Sequence, residues 1–173
     1  MENFTNETID TKQLPKFEDV ELTALHPKYL TVVIINSLLF ITILVVGYFA
    51  LLFFDSKNIT TKFSIQLGIA TAIVSICILL YSIISFKKKA FAFRNHDVIF
   101  RSGVIATNTM VIPYNRVQHV ALHETFISRF FGLAEVEIFT AGGSSSDIEI
   151  PGIAKEEAEN IKQLLMGKIQ KQL

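Results

Sequence analysis

Two long apolar segments dominate the hydrophobic pattern of the chain. Residues 29–54 and 63–86 contain no charged residue, and each is longer than the about 20 apolar residues that a helix needs to cross a bilayer core. A polar connector, Asp55 to Lys62, separates them and suits a tight hairpin. The pattern predicts two transmembrane helices, residues 29–54 and 63–86, in an integral membrane protein.

After the second apolar segment the pattern changes to the alternation that is typical of strands. Short β-favourable segments follow one another, bounded by turn residues such as Ser102-Gly103 and Pro113. The candidate strands are residues 91–94, 97–101, 108–112, 117–123, 136–140 and 147–150. Five or six such strands predict an antiparallel sheet bent into a barrel or sandwich.

The C-terminal segment, residues 154–173, has a helical period. Ala158, Ile161, Leu165 and Ile169 recur on one face, and acidic residues precede basic ones, which complements the helix dipole. We expect one amphipathic helix that closes an open end of the sheet. The fold class is therefore α+β, with a transmembrane hairpin followed by a mostly β domain.

The chain divides into three parts on this basis. Residues 1–28 form a polar tail, and we expect the tail to be flexible as far as residue 25. Residues 29–86 form the hairpin, and residues 87–173 form the domain.

Lysine and arginine are unevenly distributed about the two spans, and this predicts the orientation. The connector holds Lys57 and Lys62. The opposite side holds more basic residues: Lys12, Lys16, Lys28, Lys87, Lys88, Lys89, Arg94 and Arg101. We expect both termini and the domain to be cytoplasmic. Because 16 basic residues balance 16 acidic ones, nucleic acid is not an expected partner.

Three consecutive lysines, Lys87, Lys88 and Lys89, follow the second span. We interpret them as an anchor of the helix end at the membrane surface, where a lysine near an anionic leaflet contributes roughly 1 kcal/mol. A binding site for a lipid headgroup is the alternative.

Small residues recur every four positions in the second span, at Ser64, Gly68 and Ala72. Such a stripe lets helices pack closely in lipid, so we expect it to face the first span or a neighbouring protomer. Neither span holds an Asp, Glu, Lys, Arg or His residue. A transporter normally has at least one such ionisable residue within its spans. The hairpin is therefore predicted to be an anchor.

Residues for catalysis are not evident. The single cysteine, Cys77, excludes an internal disulfide. His119 and His123 lie in a candidate strand, where a separation of four residues places them roughly 13 Å apart, too far to share a metal ion. The sequence contains no phosphate loop or nucleophile elbow. We therefore expect neither enzyme activity nor a cofactor.

The segment Phe126 to Leu133 is densely apolar. It could plug the sheet core, dip into the membrane or bind a partner. We favour the core plug, because exposed phenylalanines would create an adhesive patch.

Several motifs in this chain resemble those of the bacterial PH-like domain family, type 2, in the layout of its YdbS-like membrane proteins. Val111 to Val120 resembles the signature Pro-x-x-Arg-Ile/Val-Gln. The segment from Ser128 to Val136 resembles a second signature, an arginine followed by Gly-Leu-Ala, and Thr140 to Gly143 resembles its Thr-Ala-Gly-Gly turn. His26-Pro27 resembles the entry to the first helix. The matching motif residues are Pro113, Arg116, Gln118, Arg129, Gly132, Gly142 and Gly143.

The resemblance implies a strongly bent seven-strand sheet capped by a C-terminal helix, at the inner membrane of a bacterium. It implies structural roles for the motif residues, such as strand ending at Pro113 and turns at the glycines, with Arg129 capping or pairing within the fold. It does not imply phosphoinositide binding. Eukaryotic PH domains bind these lipids through a basic first hairpin loop, whereas the stretch Arg94–Asp97, which we equate with it, has one arginine and one aspartate.

Our leading hypothesis is a non-catalytic adaptor whose PH-like domain binds another protein at the membrane. The lipid bilayer is one expected partner, and a multi-domain member of the same family or a second copy of the chain is the other. Protection against membrane-active antimicrobial peptides and sensing of anionic lipids are the alternatives.

Overall fold

Two long helices form the hairpin that the apolar segments predict. The computed structural model describes residues 19–54, 60–141 and 148–170. Helix α1 spans Lys28–Phe54 and helix α2 spans Thr61–Lys88. Only 11% of the most apolar window of α1 is buried, and none of that of α2. Core helices of a soluble protein would be mostly covered, so these two helices are built to face lipid.

Polar contacts join the two helices inside the hairpin. The Ser37 hydroxyl, which is buried, donates to the Ser82 hydroxyl at 2.9 Å. Nearer the connector, the Tyr48 hydroxyl donates to the Ser64 carbonyl at 3.2 Å. Each hydrogen bond satisfies a polar group that lipid could not, so the pairing of the helices is fixed at two positions along the hairpin.

A short strand before the hairpin pairs with the strand that follows it. Strand β1, Thr23–Ala24, lies antiparallel to β2, Ala90–Phe93, with Thr23 opposite Phe91. The expected tail therefore ends in a strand of the domain, and the expectation of flexibility up to residue 25 is wrong at this strand. The transmembrane hairpin is inserted between the first two strands of the sheet.

This insertion corrects one correspondence that we drew from the sequence. Arg94–Asp97 is the turn between β2 and β3, not the first hairpin loop of the sheet. The transmembrane hairpin itself occupies the first connection. The sequence hides this arrangement because β1 is two residues long and more than sixty residues away from its partner.

Seven strands in the described part of the chain form two antiparallel sheets. One sheet has the order β1-β2-β3-β4, and the other has the order β5-β6-β7. The remaining strands are β3 at Asp97–Ser102, β4 at Asn108–Pro113, β5 at Val117–His123, β6 at Leu133–Thr140 and β7 at Ile148–Ala154. A 3-10 turn, Tyr114–Arg116, connects the sheets. This arrangement confirms the predicted α+β fold.

A C-terminal helix covers the second sheet. Helix α4, Lys155–Gln170, packs across β5, β6 and β7. Ala158 and Leu165 are buried there, whereas Ile161 and Ile169 are partly buried. These are the four residues that the helical period placed on one face. A further helix, α3 at Phe126–Phe130, connects β5 to β6.

Strand β7 continues through Pro151 and Gly152, where the sequence suggested an end at Ile150. Because β7 is at the edge of its sheet, the missing N–H of proline is tolerated. Gly152 has φ +67°, and a Cβ atom there would lie 2.3 Å from Cγ of Tyr29 in α1. Its carbonyl accepts the His26 N–H at 3.0 Å. The base of α1 is thus packed directly on the backbone of β7.

Candidate functional site

A groove runs along the edge of β4 at the end of the domain that lies away from the membrane helices. It has a volume of about 490 Å³. Its lining residues come from β4, the 3-10 turn and the end of β6: Met110, Val111, Ile112, Pro113, Arg116 and Thr140. The groove therefore contains two of the family-motif residues, Pro113 and Arg116.

The groove is open because β4 is the last strand of its sheet. Within the described residues β4 pairs only with β3, while β5 turns away into the second sheet. Met110 and Ile112 pack partly against the core, and Val111 is 40% exposed. The edge thus offers unpaired backbone above an apolar surface, which is a template for another strand.

Tyr114 holds the wall of the groove in place. Its side chain is 2% exposed, and its hydroxyl donates to the Arg94 carbonyl at 2.6 Å. Its N–H donates to the His96 carbonyl at 2.9 Å. Burial, followed by the nearby Asp97 carboxylate, raises the pKa of Tyr114 to about 12. Tyr114 occupies a variable position of the motif, so sequence reasoning missed its structural role.

The turn to which Tyr114 is bound is itself rigid. The Arg94 guanidinium donates to both carboxylate oxygens of Asp97, at 2.6 Å and 2.5 Å. The Arg94 N–H also donates to the Asp97 carbonyl at 2.9 Å. The charges of Arg94 and Asp97 neutralise each other, and their hydrogen bonds stiffen the turn.

Arg116 supplies a cation at the rim of the groove. Its side chain is exposed and makes no hydrogen bond or ion pair with the part of the chain that the structure describes. Its carbonyl accepts the Ala141 N–H at 3.2 Å, which fixes the backbone. Gln118 is also exposed, beside the irregularity in pairing between Val117 and His119.

The second motif covers the end of helix α3 and the residues that follow it, near the membrane helices. Arg129 is exposed, and Gly132 has φ +67°, the left-handed conformation that favours glycine. The Gly132 carbonyl accepts the Lys155 N–H at 3.0 Å. The Lys155 ammonium contacts Glu124 at 2.8 Å, and this hydrogen bond lowers the pKa of the Glu124 carboxyl. Gly142 and Gly143 lie outside the described residues.

Helix α3 contradicts the favoured core-plug interpretation. Phe126 is 78% exposed and Phe130 is 76% exposed, while Ser128 between them is buried. The two exposed rings pack edge to face, with their centroids 5.1 Å apart. The segment is a surface element, and only Leu133 at its end enters the core.

The lysines at the end of α2 border a cleft at the base of the domain. Lys87 and Lys88 are exposed, and Lys89 is half-buried. Lys87, Lys88 and Arg101 contribute to a cleft of about 320 Å³, and Nε of Arg101 is buried without a hydrogen-bond partner among the described residues. Basic charge is thus concentrated where α2 leaves the membrane.

Glu135 of β6 lies half-buried near the base of α1. Burial raises the pKa of its carboxyl, and the Glu149 and Glu137 carboxylates raise it further, against the opposing effect of Lys89 and His123. It shares a small cavity of about 40 Å³ with Tyr29 and Asn36 of α1.

Two residues of the small-residue stripe in α2 lie against α1. Ser64 receives the Tyr48 hydrogen bond, and a Cβ atom at Gly68 would lie 3.0 Å from the Tyr48 hydroxyl oxygen. Ala72 is exposed on the surface of the hairpin.

The described residues offer no evident metal centre. None of them form a group of three or more His, Cys, Asp or Glu side chains able to hold an ion. His119 instead stacks on Phe139 of the neighbouring strand, with 4.1 Å between ring centroids.

Comparisons with known proteins agree with this architecture. The family model described as Bacterial PH domain matches residues 30–169. The transmembrane protein YdbT of Bacillus subtilis (strain 168) is 25% identical over 121 residues, which are 69% of this chain and 24% of that protein. YdbS of the same organism, also named a transmembrane protein, is 31% identical over 67 residues, 39% of this chain and 40% of that protein. The chain thus spans less than half the length of either relative. No solved structure matches.

Proposed function

The chain belongs to the bacterial PH domain family, and we propose that it is a non-catalytic membrane adaptor that binds an extended segment of another protein along β4. The observation that carries this proposal is the open β4 edge within a groove that also holds Pro113 and Arg116. In this function the hairpin anchors the chain in the membrane, and the groove selects the partner.

The groove supports recognition of an extended strand of defined chemistry. A peptide that adds to an exposed sheet edge gains affinity from main-chain hydrogen bonds and specificity from pockets for alternate side chains. Met110 and Ile112 provide an apolar floor, and Arg116 provides a cation at the rim. The expected ligand therefore carries apolar residues at alternate positions and an acidic residue beside them.

The position of the groove favours a partner at the same membrane. Strand β4 has 6 residues, so its far end lies roughly 20 Å beyond the base of the domain. The distribution of lysine and arginine supports a cytoplasmic location for the domain and both termini. A longer membrane protein with a domain of the same family could reach this level, and so could a second copy of the chain.

A charge placed on the edge strand tests the proposal. Val111→Lys should disfavour strand addition, because lysine on an edge discourages pairing. Leu164→Lys is the matched control, since Leu164 is exposed to 47% on α4, compared with 40% for Val111. The tagged full-length variants would be crosslinked in native membranes, purified and compared by mass spectrometry.

We expect a reproducible partner, or a second copy, that is captured by the parent chain and by Leu164→Lys but is lost from Val111→Lys. Circular dichroism would verify that both variants are folded. Equal capture by the two variants would contradict binding along β4. Failure of the parent chain to capture any protein would contradict the adaptor function itself.

A further inference from the structure

Helix α3 presents two phenylalanines that the domain does not cover. Phe126 and Phe130 are one helical turn apart, and both are more than three-quarters exposed. Their rings contact each other, which makes one continuous apolar surface. An apolar surface of this kind that faced water would promote association or aggregation.

The local structure holds this surface outward. The Thr125 hydroxyl caps the helix by accepting the Ser128 N–H at 3.3 Å, and it also donates to the Ser128 hydroxyl at 2.7 Å. Ser128 is buried on the opposite side, and Gly132 ends the helix in a left-handed conformation. The two rings are therefore displayed by a capped helix with a fixed inner face.

The level of α3 along α1 coincides with a membrane boundary. Helix α1 has 27 residues and is about 40 Å long, whereas the hydrocarbon core is about 30 Å thick. About 20 residues counted back from Phe54 reach Ile35 and Asn36. Thr125 and Ser128 line the same small cavity as Tyr29, Val32 and Asn36, so α3 lies beside the part of α1 that ends at this level.

Polar and aromatic residues of the hairpin support the same boundary. Ser37 bonds to Ser82, and the neighbouring Tyr81 is 58% exposed, as is typical of aromatic residues at a membrane surface. Below this level, Val32 is fully buried, and the first turns of α1 pack on the domain. Helix α3 contacts α1, so its two exposed rings lie close to the hairpin.

We propose that Phe126 and Phe130 insert into the bilayer beside the hairpin and fix the domain against the membrane surface. The β3–β4 loop provides a second contact. Ala90, which follows α2, pairs with Arg101, so the loop that follows β3 returns to the level of Lys87 and Lys88. Ile105 in this loop is 99% exposed.

Single-tryptophan reporters test the contact, because the chain contains no tryptophan. Phe126→Trp and Phe130→Trp would be made in the full-length protein. It would be reconstituted into vesicles of phosphatidylethanolamine and phosphatidylglycerol, with and without bromine on the acyl chains. Phe53→Trp, at a site 79% exposed within α1, is the lipid-facing control. Leu164→Trp, on α4, is the water-facing control.

We expect Phe126→Trp and Phe130→Trp to emit at shorter wavelength than Leu164→Trp and to lose most of their emission to brominated lipid, as Phe53→Trp does. Aqueous iodide should quench only Leu164→Trp. Behaviour like Leu164→Trp would overturn the proposal. Protection from both bromine and iodide would also overturn it, because a second copy would then cover the surface.

Discussion

Gly152→Ala should separate the domain from the base of the membrane hairpin. The Cβ atom would lie 2.3 Å from Cγ of Tyr29, and the backbone φ of +67° disfavours any L side chain. To relieve the overlap, β7 or the first turn of α1 must move. Movement would also strain the hydrogen bond from the His26 N–H to the Gly152 carbonyl.

Substitutions at two other glycines separate the loss of stability for Gly152→Ala into backbone strain and steric overlap. Gly132 has the same φ but open space around its Cβ position, so Gly132→Ala should cost about 1–2 kcal/mol from backbone strain alone. Gly152→Ala adds overpacking of about 1–3 kcal/mol, for a total of about 2–5 kcal/mol. Gly167 in α4 has open space and no positive φ, so Gly167→Ala should stabilise by up to about 1 kcal/mol.

Thermal unfolding in mild detergent, followed by near-ultraviolet circular dichroism, measures these differences. The midpoint for Gly152→Ala should fall by at least about 4 °C, more than for Gly132→Ala, while Gly167→Ala should not lower it. Adding Tyr29→Ala to Gly152→Ala should recover only part of the steric loss, because the Cβ atom of residue 29 would still lie 2.6 Å from the new Cβ atom. An equal loss for the Gly152 and Gly132 variants would refute the contact between Tyr29 and β7.

Two further predictions concern titratable groups. Tyr114→Phe removes the hydrogen bond to the Arg94 carbonyl and should cost about 1–3 kcal/mol in thermal unfolding. Because the folded pKa of Tyr114 is about 12 against the ordinary 10, the parent should lose stability as pH rises from 10 through 12, and Tyr114→Phe should lack this loss. Burial raises the pKa of the Glu135 carboxyl, so the folded state favours its protonated form. The stability that this group contributes is therefore lost as pH rises through the raised pKa. Glu135→Gln should therefore be more stable than the parent at neutral pH and similar to it in acid; the opposite order would contradict the burial of Glu135.

The elements with regular patterns were predictable from the sequence. Uncharged apolar segments gave both spans, and the period of Ala158 and Leu165 gave α4, because each signal repeats over many turns. The strands from β2 to β5 followed from local alternation. Each of these elements is defined by residues that are close together in the chain.

Long-range pairing and local irregularity were not predictable in the same way. Strand β1 has 2 residues and exists because β2 returns beside it after the hairpin. Strand β6 begins at Leu133, where a pairing irregularity between Ala134 and Val136 breaks the alternation. The candidate strand at residues 147–150 stops before Pro151 and Gly152, whereas the edge strand β7 continues through both residues.

The candidate site was only partly predictable. The motif directed attention to Pro113 and Arg116, which line the groove. Tyr114 was missed because a buried tyrosine in a turn has no local sequence signal. Phe126 and Phe130 were assigned to the core, because composition cannot distinguish a ring that faces the protein interior from one that faces lipid.

Photocrosslinking along β4 in native membranes tests the central claim most directly. A crosslinking amino acid would be placed at Thr109 and then at Val111, two residues apart on the edge strand, with Leu164 as the control position. Strand addition predicts that the crosslinked position in the partner moves by about two residues between the two probes. The same partner residue at both positions, or crosslinks from Leu164 but not from β4, would contradict binding of an extended segment along this edge.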